Sequence, residues 1–111
     1  MSIKIIVADK LKFTIKGTIK NGAGVDEPFT FRLTCDRIDA EAIQAALNGG
    51  DDSPISDFFT PITTDWDGVT DADGKPLPYS AEALQQLFKI PGVARIALRT
   101  YLTEVGAKEK N

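Results

Sequence analysis

Leu11-Lys12-Phe13-Thr14-Ile15-Lys16-Gly17-Thr18-Ile19-Lys20 alternates apolar and polar residues without a break, and that period of two decides the fold. Successive side chains of a strand point to opposite faces, so Leu11, Phe13, Ile15, Gly17 and Ile19 share one face and the lysines and threonines the other. Phe29, Phe31, Leu33 and Cys35 alternate in the same way with Thr30, Arg32, Thr34 and Asp36. Between the two runs lies Asn21-Gly22-Ala23-Gly24, residues that tolerate positive φ. The pair therefore reads as an antiparallel β-hairpin with a somewhat long turn. Ile3 to Val7 is a candidate third strand. A lone hairpin is marginal in water, so its apolar face needs a cover.

Helices supply it. Asp39 is placed to N-cap a helix running to about Asn48, with Ile43 and Leu47 on one face and Gly49-Gly50 at its end. Ser53-Pro54 starts a second, because Ser caps free amides and proline at the first helical position gives up no bond. Ile55, Phe58, Phe59 and Ile62 fall on one stripe of it, and Pro61 makes its end short or irregular. Ser80, with Glu82 in the first turn, starts a third helix carrying Leu84, Leu87 and Phe88. Pro91-Gly92 closes that helix and opens a fourth, in which Val93, Ile96 and Ala97 are assigned to the core. Leu98, Tyr101, Leu102 and Val105 extend its apolar surface outward, which predicts weak self-association. The expected architecture is α+β: an N-terminal antiparallel hairpin of two or three strands on about four short helices. It forms one domain over 1–111, with 107–111 as a flexible tail.

Composition narrows the chemistry. The chain has 111 residues, 42% hydrophobic and 26% charged, which is ordinary globular usage. A net charge of -3 gives no global attraction to nucleic acid. With no histidine and one cysteine there is no histidine catalysis, no Cys/His metal pattern and no intramolecular disulfide. Cys35 keeps the inward register of its strand, so it reads as a small buried hydrophobe rather than a reactive thiol. No stretch approaches the ~20 apolar residues of a membrane span. Met1 to Lys12 lacks the apolar region and cleavage site of a secretory signal, so the expected location is the cytoplasm.

Asp65, Asp67, Asp71 and Asp73 are the one source of acid–base or cation chemistry. A calcium loop placed over Asp71, Asp73 and Gly74 puts Val69 and Ser80 where carboxylates are required. Asp71-Ala72-Asp73-Gly74 with Lys75-Pro76 is turn chemistry instead. No catalytic, cofactor-binding or metal-binding residue is assigned. Trp66, flanked by Asp65 and Asp67, is excluded from a long buried strand. It reads either as an anchor between helices and the following loop or as a partner-binding hot spot. The partner-contacting candidates are Trp66, Leu98, Tyr101, Leu102 and Val105. Lys12, Lys16, Lys20 and Arg32 share the outer hairpin face, either as solvated guards against edge pairing or as a landing surface for an acidic partner.

Trp66-Asp67-Gly68-Val69 leads into the acidic turn, then into Pro76-Leu77-Pro78-Tyr79-Ser80-Ala81-Glu82-Ala83-Leu84, the Pro91-Gly92 break and a last helix carrying Tyr101. Together with Phe31-Arg32-Leu33-Thr34-Cys35-Asp36-Arg37, this order resembles the small tail assembly chaperones of long-tailed bacteriophages, over roughly Leu11 to Val105. The resemblance implies a non-enzymatic protein of the host bacterial cytoplasm that binds the phage tape measure protein and helps recruit tail tube subunits. Such a protein leaves before the virion is finished, and needs no cofactor, nucleic acid or membrane. The alternative is a structural tail component, a tube or connector subunit retained in the virion. The resemblance assigns no binding residue. Many such chaperones are made in two lengths by a ribosomal frameshift, and Glu109-Lys110-Asn111 reads either as the site of a slippery codon run or as a charged, solvated tail.

Overall fold

In the computed structural model, which describes residues 9–47 and 55–106, the hairpin forms in the register that its alternation demands. Strand β1 (Lys10–Lys20) pairs antiparallel with β2 (Asp26–Asp36), setting Leu11 opposite Cys35, Phe13 opposite Leu33, Ile15 opposite Phe31 and Gly17 opposite Phe29. From Leu11 to Gly17 each inward residue thus meets an inward residue, whereas Ile19 lies opposite Glu27; Ile15, Leu33 and Cys35 are wholly buried. Gly17 is part of that fit: a Cβ there would lie 2.5 Å from Cζ of Phe29, whose ring crosses the strand. Ile3 to Val7 lies outside the described residues.

The chain turns outward after β2 and enters α1 (Ala40–Leu47), where Oδ1 of Asp39 accepts the amide of Ala42 at 2.8 Å. Asn48, Gly49-Gly50 and the Ser53-Pro54 start signal lie outside the described residues. Helix α2 (Ile55–Phe59) ends short of Ile62, as Pro61 leads one to expect. Pro61 lacks an amide and clashes with the preceding turn, so the helix stops at Phe59, and the amide of Ile62 bonds to Phe59 O in a tighter turn. Ile62 still packs on the core from just beyond the helix.

A third strand, β3 (Thr63–Asp67), then adds to β2, giving the sheet order β1-β2-β3. This corrects the placement of Trp66, which is in the sheet rather than in a helix–loop junction. The strand carries a bulge: Leu33 pairs with Trp66, Thr34 with Asp65 and Cys35 with Thr63, leaving Thr64 extra. A bulge puts two residues opposite one, so Thr63 and Trp66 both turn inward although they are three apart.

Helix α3 (Ala81–Phe88) begins where Oγ of Ser80 accepts the amide of Ala83 at 3.0 Å. Gly92, at φ 90°, opens α4 (Val93–Val105), which lies across the inner face of β1. Val93, Ala97 and Tyr101 recur every fourth residue and are buried, which moves Tyr101 from the outward set to the core. Its ring meets Phe13, Phe58 and Phe59 edge-on, with centroids 5.6, 5.7 and 5.9 Å away. The fold is α+β, with the helices packed on the inner face of the sheet. The other face carries Lys12, Thr14, Lys16, Thr18 and Arg32, of which Lys12, Lys16, Thr18 and Arg32 are exposed.

Candidate partner-binding groove

Strand β3 borders β2 only from Arg32 to Cys35, and the chain leaves the sheet at Gly68. Gly68 has φ +85°, and a Cβ on it would stand 3.3 Å from both the Cα of Phe31 and the carbonyl oxygen of Thr30. Conformation and space both require glycine there. Past this point β2 has no second neighbour among the described residues, which is why Pro28 is tolerated within it.

The departure opens a groove of about 180 Å³. Ile19, Phe29 and Phe31 form one wall, Gly68-Val69-Thr70 runs along it, and Leu87, Ile90 and Val93 from the α3–α4 corner form the other. Phe29 and Phe31 stack with centroids 6.1 Å apart, and Ile19 at the rim is 40% exposed. Outside the rim sits a polar shelf where Nη1 of Arg32 meets Oδ2 of Asp67 at 3.4 Å. Both side chains are largely exposed there, so the pair contributes little to stability. The site is apolar, shallow and open, which suits contact with another protein's side chains rather than a reaction.

Trp66 and Tyr79 hold the groove's loop from behind. The Trp66 indole N–H donates to Leu77 O at 2.7 Å, its ring meets Tyr79 edge-on at 5.3 Å, and the Tyr79 hydroxyl donates to Thr63 O at 3.1 Å. Between these anchors the chain doubles back through a bridge from Thr70 to Pro76. Oδ1 of Asp71 accepts the amides of Asp73 and Lys75, and Gly74 takes φ +79°, as turn chemistry requires.

The five candidates from the sequence fall elsewhere. Trp66 is 8% exposed with its indole N–H satisfied, and Tyr101 is fully enclosed, so both act inside the core. Leu98, Leu102 and Val105 are half-buried along the flanks of α4. Arg37 caps that helix by donating from Nη2 to Val105 O at 3.1 Å. None of the five lines the groove. The groove residues escaped notice because the wall from the hairpin and the wall from the α3–α4 corner are distant in sequence. The one available signal was Gly68 directly after Trp66-Asp67.

The titratable groups have structural work. Burial, partly offset by the Thr63 hydroxyl and helped by the Asp36 charge, pushes the Cys35 thiol from 9.0 up to about 11. At neutral pH it stays protonated and is a poor nucleophile. Asp65 accepts the amide of Trp66 at 2.8 Å, Asp67 pairs with Arg32, and Asp71 holds its turn. Among the described residues no three His, Cys, Asp or Glu side chains converge as a metal site requires, and no helix is long and apolar enough to cross a membrane. No protein-family model matches the chain, and neither a curated protein nor a solved structure resembles it significantly.

Proposed function

We propose that this protein is a non-enzymatic chaperone of bacteriophage tail assembly, working in the host bacterial cytoplasm, and that its groove receives apolar side chains of the tape measure protein. One observation carries the reading: Gly68-Val69, within the segment that resembles tail assembly chaperones, forms part of an open apolar groove beside the core. A small domain with such a groove can cover an aggregation-prone helical scaffold and let it go, since an interface this limited binds weakly. Recruitment of tail tube subunits belongs to the same reading, with the covered scaffold as the platform.

Co-expression with the tape measure protein, followed by pull-down, tests it. The wild-type chain should capture the scaffold, and Ile19→Asp, at the exposed rim, should lose it while keeping the wild-type circular dichroism spectrum and melting temperature. Val69→Ser should also weaken capture, with a somewhat lower melting temperature because Val69 packs against the core. No capture by the wild-type chain, or full capture by both folded variants, overturns the proposal. Abundant chain in purified virions would instead favour a tube or connector subunit.

A further inference from the structure

The hairpin loop and the acidic loop are the same device built twice. In the first, Asn21 N donates to Val25 O at 2.9 Å and Gly24 N to Asn21 O at 3.0 Å. Oδ1 of Asn21 also accepts the amides of Ala23 at 2.8 Å and Val25 at 3.1 Å. In the second, Asp71 N donates to Lys75 O at 2.9 Å and Gly74 N to Asp71 O at 3.0 Å. There Oδ1 of Asp71 accepts the amides of Asp73 at 2.9 Å and Lys75 at 3.0 Å. Gly24 and Gly74 have φ of 80° and 79°. The loop frame therefore accepts an amide or a carboxylate at its first position. What distinguishes the first loop is Glu27, whose Oε1 takes a hydrogen bond from Nδ2 of Asn21 at 2.8 Å. A carboxylate at position 21 has no proton to give it.

Asn21 is followed by Gly22, which is exposed, has open space around it and donates no hydrogen bond among the described residues. We propose that Asn21 is a latent deamidation site that the folded hairpin protects, with Glu27 as its guard. In the reaction the backbone nitrogen of Gly22 attacks Cγ of Asn21 and closes a five-membered imide. The Cγ–Nδ2 bond breaks, and ammonia departs with the proton that Gly22 gives up. Water then opens the ring at either carbonyl, leaving aspartate or isoaspartate; nothing is oxidised or reduced. Attack requires the side chain to swing off Ala23, Val25 and Glu27 together, so the native loop holds the reaction back. Once formed, an aspartate keeps the loop frame, as Asp71 does, but sets two carboxylates face to face. Isoaspartate lengthens the backbone and breaks the Lys20–Asp26 register.

Peptide mass spectrometry of the full chain, incubated folded or in guanidinium, follows the mass gain of amide-to-acid conversion at Asn21. Asn48-Gly49, the same dipeptide step, gives the unfolded reference rate in guanidinium. Folded Asn21 should react at least about tenfold more slowly than in guanidinium, the factor that one hydrogen bond to a charged group supplies. Glu27→Ala should restore much of that difference in the folded chain without changing the guanidinium rate, and Glu27→Gln, an uncharged acceptor, should fall between. Equal rates in folded and unfolded chain overturn the proposal. So does a folded rate untouched by Glu27→Ala, with circular dichroism showing the hairpin intact. If Glu27→Ala unfolds the chain, Glu27→Gln carries the same decision.

Discussion

Tyr101 and the Trp66–Tyr79 pair both use an aromatic ring's polar atom to hold irregular backbone, but they do so in unlike surroundings. The Tyr101 hydroxyl donates to Asp36 O at 2.9 Å and accepts the amide of Ile38 at 3.3 Å, fixing the exit from β2. Its ring has no exposure and sits among three phenylalanines. Trp66 and Tyr79 fix the connection from β3 to α3, at a sheet edge that ends in an open groove. The closed end is where truncation leaves a void; the open end is where the backbone can relax and where a partner has room. Cys35 and its strand partner Thr63 join the two, since Asp36 O serves Tyr101 and Thr63 O serves Tyr79.

The largest effect should separate the two ends. Tyr101→Ala is expected to destabilise the chain by about 4–5 kcal/mol and Trp66→Ala by about 3 kcal/mol, against a total of roughly 5–15 kcal/mol for a native domain. Chemical denaturation of both variants checks the order, and a Trp66→Ala cost exceeding that of Tyr101→Ala would break the contrast.

Where the ends meet, alkali should loosen the fold. The Cys35 thiol is raised from 9.0 to about 11, so the folded state favours the protonated form. That stability is complete below the ordinary thiol value and is lost as pH rises through the raised one, about 2–3 kcal/mol in all. Burial also raises both tyrosine hydroxyls, which adds in the same direction. Denaturation at about pH 8 and about pH 11 should show the loss, and Cys35→Ala should remove the larger part of the slope. A slope unchanged by that substitution assigns the effect to the tyrosines.

The smallest test concerns the hydroxyls alone. Tyr101→Phe should cost about 1–2 kcal/mol because it unpairs the Asp36 carbonyl and the Ile38 amide together, and Tyr79→Phe about 1 kcal/mol or less at its wetter site. Equal losses would mean that burial does not grade the two anchors.

Most of this contrast was illegible in the sequence for definable reasons. The hairpin was readable because its inward residues keep a strict period of two, and α3 and α4 because Ser80 and Pro91-Gly92 punctuate them. β3 was hidden by its bulge, which spaces Thr63 and Trp66 like neighbours on a helix and removes the alternation that marks a strand. Tyr101 was misassigned because α4 is apolar on several sides, and only its seat against Phe13, at the far end of the described chain, decides which side is in. The groove has no local signature at all, since its walls meet only after the sheet and the α3–α4 corner have packed.

The helix that covers β1 is also the last of the described elements to be made, and this sets a timetable for the nascent chain. The ribosome completes Asp36 long before Val105, an interval of several seconds at about 5–20 residues per second. Throughout it, Phe13, Ile15, Phe31 and Leu33 lack the surface that finally shields them. Closure of so long a loop is slow compared with forming the hairpin itself. During its own synthesis this chain therefore presents a sticky sheet to the cell, and it needs either a low local concentration or a transient cover until α4 arrives.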